Sequence, residues 1–295
     1  MNVRPASVDD LEAVRMLVVE DEEHLLGRPS RIQLGDLQEW VSLTDLAQDS
    51  WLFFEGEELC AGGWCISPPG GDVVLAIGVV HPKWKAHGLG SELAARSEAR
   101  SAALGAKRLH QNALAQDGAA GELFRGRGYR EVRRFYEMAV ELTERPPAPA
   151  LPIETFREDE AQAFHSALDE SFQDHWEHHS SPFEEWWERN AGRPGFDPSL
   201  WFLIRDGDEL AAVSRNEANR NGGGYVAAIG VRRPWRGKGY AKALLLHTFG
   251  EFYDRGITRV TLGVDATNPT GATHLYERVG MHVELEHVVF ARAIA

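Results

Sequence analysis

The stretch "HPKWKAHGLGSELA" at residues 81–94 returns in similar layout as "RRPWRGKGYAKALL" at 232–245. This repetition constrains the fold more than any other feature of the chain. "AIGV" occurs at 76–79 and at 228–231, Trp84 and Trp235 precede the two glycine-rich turns, and "LFRGRGY" (123–129) matches "LYERVGM" (275–281). An offset of 151 or 152 residues links every pair. Chance does not hold one offset through separate motifs, so the chain reads as a tandem duplication. Between the copies, "ERPPAPALP" (144–152) carries four prolines in nine positions. Proline lacks the amide donor and restricts its neighbour, which makes this a stiff extended linker. The expected organisation is an N-terminal domain over 1–143, a linker over 144–152 and a C-terminal domain over 153–295. A chain of 295 residues is long for one core and comfortable for two.

Each half reads in the same order. A short strand leads to a helix; "SVDDLEAVRMLV" opens with a Ser-x-x-Asp close to a capping box. A second amphipathic helix follows ("DLQEWVSLTDLA"; "PFEEWWERN"), then three β-rich runs ("SWLFFEGEE", "LCAGGWCIS", "VVLAIGVV"; "LWFLIRDGDE", "LAAVSRNEA", "YVAAIGV"). Asp-Gly-Asp and "NRNGGG" supply hairpin chemistry between strands. The glycine-rich turn, a long helix, a strand, a helix and a last strand pair ("MHVELEHVVFARAI") close the half. The order predicts an α/β (α+β) fold, with helices on the faces of a mixed sheet.

Charge narrows the partners. With 45 acidic and 31 basic residues the net charge is −14, which argues against a nucleic-acid-binding surface. No run approaches the roughly 20 apolar residues that span a bilayer, and the start has no apolar signal core. A cytoplasmic protein without membrane attachment, monomer or homodimer, is the expectation. Cys60 and Cys65 on one strand would lie about 16 Å apart on opposite faces, too far for a disulfide.

Why does an acidic chain gather cations at 232–238? Gly237 and Gly239 let the backbone pass close to a ligand. The helix beginning near Tyr240 presents unpaired amides and a positive dipole end, together a pyrophosphate cradle. Arg236 and Lys238 can add charge-assisted contacts. A dinucleotide fingerprint would need glycine where Lys242 stands, and a Walker loop would need Ser or Thr after Gly-Lys. Neither fits.

Arg236-x-x-Gly239-x-Ala241 resembles the coenzyme A signature of the GNAT N-acetyltransferases. Asn268, Ala272, Tyr276 and Gly280, each four apart in "DATNPTGATHLYERVGM", resemble the closing element of the same family. By residue chemistry alone, Asn268 suits a helix cap, Pro269 its first position and Gly280 its end. The resemblance covers essentially each half, so the chain is expected to hold two tandem GNAT-like domains, each a mostly antiparallel twisted sheet flanked by helices. In this architecture it resembles the mycothiol synthases. The resemblance implies an acetyl-CoA cofactor held by Ile229, Val231, Arg236, Gly237, Lys238, Gly239, Tyr240, Ala241, Asn268 and Tyr276, with Lys85, His87, Gly88 and Gly90 as a second candidate site.

Acetyl transfer to an amine needs a neutral amine, a stabilised oxyanion and a proton for the departing thiolate. In the family pattern Tyr276 is that acid. At the offset of 152, Tyr276 corresponds to Phe124, which has no proton to give, and Asn268 to Gln116. The second half is therefore expected to be the catalyst and the first degenerate. For the base, "YVAAIGV" offers no carboxylate, and Glu217 on the preceding strand is the nearest candidate. Asp174, His175, Trp176 and His178 in "SFQDHWEHHS" are the candidate substrate contacts. No metal is expected, because the histidines there lack a fourth ligand at supporting spacing. The expected partner is a small-molecule amine. An aminoglycoside, a protein N-terminus or a non-catalytic acyl-CoA sensor are the alternatives.

Overall fold

A computed structural model describes residues 1–294 except 43, 68–71, 177–179, 194 and 269–270. Contacts group the chain into two units. Unit 1 comprises Met1–Tyr136, Asp265–Thr267 and Leu285–Ala295; unit 2 comprises Glu137–Val264 and Asn268–Glu284.

In unit 1, β1 (Asn2–Arg4), β2 (Ser50–Glu55), β3 (Glu58–Ile66), β4 (Val73–Val80) and β5 (Arg108–Leu114) are neighbours in that order. The helices are α1 (Leu11–Leu26), α2 (Leu34–Ser42), α3 (Leu46–Asp49), α4 (Leu89–Ala103) and α5 (Gly118–Gly126), followed by β6 (Arg130–Glu141). The expected capping box forms, with the Ser7 amide donating to Asp10 at 2.8 Å. Cys60 and Cys65 are buried free thiols on β3.

In unit 2 the helices are α6 (Ala161–Phe172), α7 (Phe183–Ala191), α8 (Tyr240–Asp254) and α9 (Ala272–Arg278). Its strands are β7 (Glu154–Thr155), β8 (Phe202–Asp206), β9 (Glu209–Arg220), β10 (Gly223–Val231) and β11 (Arg259–Asp265). They run in the order β11-β10-β9-β8-β7, antiparallel except for β10 beside β11. Phe156, Phe164, Trp186, Trp201 and Val213 fill the core beneath α6 and α7.

The chain end departs from expectation. Residues 282–293 form one strand, β12 (His282–Ala293), rather than a strand pair. The run holds no glycine, proline or asparagine to turn the chain back. Its last part pairs antiparallel with β5, from His287–Leu114 to Ala293–Arg108, inside unit 1. Glu137–Glu141 of β6 belong to unit 2. Among the described residues no helix is long and apolar enough to cross a membrane, and no cluster of His, Cys, Asp and Glu could hold a metal ion.

Candidate active site

In unit 2 the ladder between the two parallel strands stops part-way along them. β10 and β11 pair at Gly224–Val260 and Tyr225–Thr261, and among the described residues no ladder pair joins them further on. The other edge of β10 stays paired with β9 as far as Val231–Ala212. Its edge toward β11 therefore carries backbone donors and acceptors beyond Tyr225, on the stretch containing Ile229 and Val231. A bulge falls in this stretch. Val226 pairs with Asn216 and Ala228 with Arg215, which leaves Ala227 outside the ladder.

The turn after β10 has the conformation that its glycines permit. Gly237 and Gly239 have φ of +79° and +84°, and a Cβ on either would meet no atom within 4 Å. Bare backbone thus borders open space. Within α8 the Ala243 amide is bonded to the Gly239 carbonyl at 3.0 Å. The amides of Tyr240, Ala241 and Lys242 precede it and have no carbonyl inside the helix. With the dipole behind them they fit a phosphate group. Lys238 is half exposed, its ammonium 3.7 Å from Asp206.

Arg236 does not face that space. Its guanidinium donates to the carbonyls of Val231 (3.1 Å) and Ser171 (3.2 Å) and to Asp174 (2.8 Å). It ties the end of α6 to the end of β10. Asp174, expected to meet substrate, is held by Arg233 and Arg236, which lower its pKa to about 2. The His175 ring lies 4.2 Å from that of Phe172, and Trp176 is partly buried. His178 lies outside the described residues, as does Pro269. The helix expected to start near Asn268 begins at Ala272, with Gly271 as its cap at φ +71°, so Asn268 stands in the loop before it.

Tyr276 on α9 is 7% exposed, and burial with the nearby Tyr225 phenol pushes its pKa up to about 12. It holds its proton at neutral pH. Tyr225 and Glu217 are ladder partners and share one face of the sheet. Glu217 accepts from Arg193 (3.0 Å), Arg215 (2.6 Å) and Arg220 (3.2 Å). Burial raises its pKa, but Arg215, Arg220 and Arg193 outweigh that and hold it below the usual range. A carboxylate so engaged is a poor proton acceptor, which weighs against Glu217 as base.

The corresponding region of unit 1 is closed differently. β4 and β5 pair over four positions, from Val73–Arg108 to Ala76–Gln111, and β4 has no bulge against β3. Gly88 keeps φ +84°, but the place of Gly237 is taken by Ala86 at φ +63°. Lys85 is paired with Asp21 (2.7 Å) and Asp117 (3.6 Å), and the His87 ring nitrogen Nδ1 lies 2.9 Å from the Lys85 carbonyl. A Cβ on Gly90 would come within 3.3 Å of Leu123. Phe124 packs against Tyr129 and Phe290 at 5.6 and 5.4 Å.

The acetyltransferase (GNAT) family model matches residues 161–281, within the half that carries the bulge and Tyr276. Mycothiol acetyltransferase of Thermobispora bispora is 32% identical over 246 residues, 78% of either chain. The chain belongs to the GNAT acetyltransferase family. A GCN5-related N-acetyltransferase from Sphaerobacter thermophilus shares the whole fold, with TM-score 0.87 and 30% identity over 99% of this chain and 95% of that one. A tandem GNAT protein from the clavulanic acid biosynthesis pathway has TM-score 0.75 at 15% identity, over 100% and 98% of the two chains. As a tandem GNAT protein the molecule is an acyltransferase, and membership implies an acyl-CoA donor.

Two parts of this GNAT site were missed in the sequence. Ala227 gives no signal, since a bulge needs one extra residue and this one is an ordinary alanine. Arg215-x-Glu217 was readable, because residues two apart on a strand share a face. Arg193 was not; it arrives from beyond α7.

Proposed function

We propose that unit 2 transfers an acetyl group from acetyl-CoA to a primary amine of a small molecule, by direct attack in a ternary complex. The observation that carries this is the buried, protonated Tyr276 in the half whose parallel ladder stops part-way and whose strand is bulged. When bound, acetyl-CoA supplies a thioester whose acyl carbon is open to an amine. The amides of Tyr240, Ala241 and Lys242, with Gly237, Gly239 and Lys238, hold the diphosphate. Backbone groups of Ile229 and Val231 and the loop at Asn268 flank the pantetheine arm. The amide of Ala227, outside the ladder, polarises the acyl oxygen. Tyr276 Oη would donate a hydrogen bond to the departing sulfur, since burial keeps the phenol protonated; the thiolate takes its proton from solvent, because a phenol raised to about 12 is a weaker acid than a thiol near 8.5. The amine loses its proton to water, Glu217 being engaged.

Relatives carrying the name mycothiol acetyltransferase make a cysteinyl sugar amine the first acceptor to try. In unit 1 Lys85 is paired inward and Phe124 replaces the acid, so it serves as scaffold. The test is thiol release from acetyl-CoA with a panel of amines, for wild type and Tyr276→Phe. A silent panel, or identical rates in both proteins, overturns the reading.

A further inference from the structure

The loop between β11 and α9 is seated by a strand from the first half of the chain. Asp265–Thr267 group with unit 1, although Val264 before them and Asn268 after them belong to unit 2. What holds these three residues is β6. The Ala266 amide donates to the Arg134 carbonyl at 2.9 Å. The Arg133 guanidinium donates from Nη1 to Thr267 Oγ1 at 2.6 Å, and its Nε stands 3.1 Å from Asp265 Oδ2 as an ion pair. The other carboxylate oxygen, Asp265 Oδ1, accepts from the Thr267 amide and hydroxyl at 2.8 and 2.9 Å. The Asp265 side chain is 7% exposed, so this clamp is shielded from the solvent that weakens surface pairs.

The first copy of the repeat shares the backbone part of this arrangement. The Ala115 amide donates to the Glu286 carbonyl at 2.8 Å, as Ala266 does to Arg134. Leu114 precedes Ala115 and Leu285 precedes Glu286, so leucines hold the places of Asp265 and Arg133. A backbone bond thus seats the loop before α5, which carries Phe124. The charged clamp is an addition in the copy whose next helix carries Tyr276.

From clamp to phenol the path is short. Asn268 follows Thr267, the Gly271 amide donates to the Asn268 carbonyl at 3.3 Å, and the Leu275 amide to the Gly271 carbonyl at 3.3 Å. Tyr276 is the next residue. With seven residues α9 is far below the roughly 12–15 at which a helix stands alone, so its place must be set from outside.

We propose that Arg133 is a positioning residue for acetyl transfer: through Asp265 and Thr267 it fixes the start of α9, and with it the Tyr276 hydroxyl. This rests on unit 2 being the acetyltransferase. Arg133 acts through the loop and moves no proton. Placement matters because a shift of about 1 Å in a reacting group can cost about 10²-fold in rate.

The test is a double-mutant cycle of Arg133→Gln and Tyr276→Phe in the full chain, read as thiol release at saturating acetyl-CoA and amine. Arg133→Gln should lower kcat by about tenfold or more. In that background Tyr276→Phe should cost about tenfold less than in wild type, since a misplaced hydroxyl has little left to lose. Arg133→Lys keeps the charge and should recover part of kcat. Removing one member of a shielded pair can unfold a protein, whereas an apolar pair in its place is often tolerated. Arg133→Leu/Asp265→Leu, matching the first copy, is therefore the second variant; it should melt near wild type and still lose kcat. Independently of turnover, hydrogen exchange should quicken at Thr267 and along α9 in both variants and stay unchanged in α8. Losses that simply multiply in the cycle, wild-type kcat in the double-leucine protein, or unchanged exchange along α9 each overturn the positioning role while acetyl transfer stands. Full activity in Tyr276→Phe by itself overturns the catalytic reading, and the proposal with it.

Discussion

The tetrapeptide Ala-Ile-Gly-Val stands on β4 of unit 1 and on β10 of unit 2, and its two copies face opposite ways. In unit 1, Ala76 is buried on the α4 side, and a Cβ on Gly78 would come 3.4 Å from Leu93 of α4. In unit 2, Ala228 packs under α6 and α7, and a Cβ on Gly230 would come 2.6 Å from Ser171 of α6. The bulge at Ala227 accounts for this: a slip of one residue turns every following side chain over. The ends of the strands agree again at an offset of 151, where the amides of His81 and Arg232 donate to the carbonyls of Cys60 and Ala211. One copy of the repeat thus gained a kinked, partly unpaired strand beside its cleft. The other kept a straight strand zipped to its neighbour over more positions. The acetyltransferase family model matches the kinked copy.

The largest effect should come from the Tyr276 phenol. Tyr276→Phe should lower kcat about 10²- to 10⁴-fold, the usual worth of a positioned donor. Phe124→Tyr should add nothing, since β4 of unit 1 has no bulge against β3. Because burial holds Tyr276 protonated up to about pH 12, the phenol should impose no fall in kcat below pH 10. A rate gain from Phe124→Tyr would mean that unit 1 is a second catalyst.

Ligand binding should divide the two turns next. Coenzyme A at 100 times its Kd should stabilise the protein by about 2.7 kcal/mol. Gly239→Val should abolish that shift, because a branched side chain would fill the open space over the α8 amides. Gly88→Val, at the same φ of +84°, should strain its own turn and leave the ligand shift intact. Loss of the shift in Gly88→Val would place coenzyme A in unit 1.

The flipped tetrapeptide predicts a smaller asymmetry. Gly230→Ala must push Ser171 aside and should cost about 2 kcal/mol, in the range of overpacked cores. Gly78→Ala meets Leu93 only at ordinary contact distances, 3.4 Å from Cδ1 and 3.7 Å from Cβ, so it should cost less than about 0.5 kcal/mol. Equal losses on urea unfolding would contradict the turned-over register.

What the sequence disclosed follows from how local each signal is. The glycine turn and the helix that carries Tyr276 were legible because spacing within one turn or one helix fixes them. The bulge was not, since nothing in the composition of "YVAAIGV" marks the extra residue. The destination of Leu285–Ala293 was equally hidden: alternation along a strand says which face is buried and not which neighbour it pairs with. Glu217 looked like a lone carboxylate near the cleft, and only the fold brought Arg193 to it. Arg236 was assigned to phosphate on its motif, whereas tertiary packing gave it Asp174 and two carbonyls.

The last contrast is between Ala86 and Gly237, which occupy the same place in the two turns. Both are left-handed, at φ +63° and +79°. For an L-residue with a Cβ that region costs roughly 1–2 kcal/mol, so unit 1 carries a strain that unit 2 avoids. Ala86→Gly relieves it, but glycine has more freedom to lose on folding, about 0.5–1 kcal/mol. The net gain should be roughly 0.5 kcal/mol, or about 1–2 °C in the melting of a domain this size. Gly237→Ala should move stability the other way by the same amount. A Cβ there still meets open space, so coenzyme A binding should weaken far less than in Gly239→Val. Thermal melts of the two variants, with hydrogen exchange at the first turns of α4 and α8 to assign each shift to its unit, check both signs. A destabilised Ala86→Gly would show that the alanine methyl holds the first turn in place, and that the two turns keep their shape for different reasons.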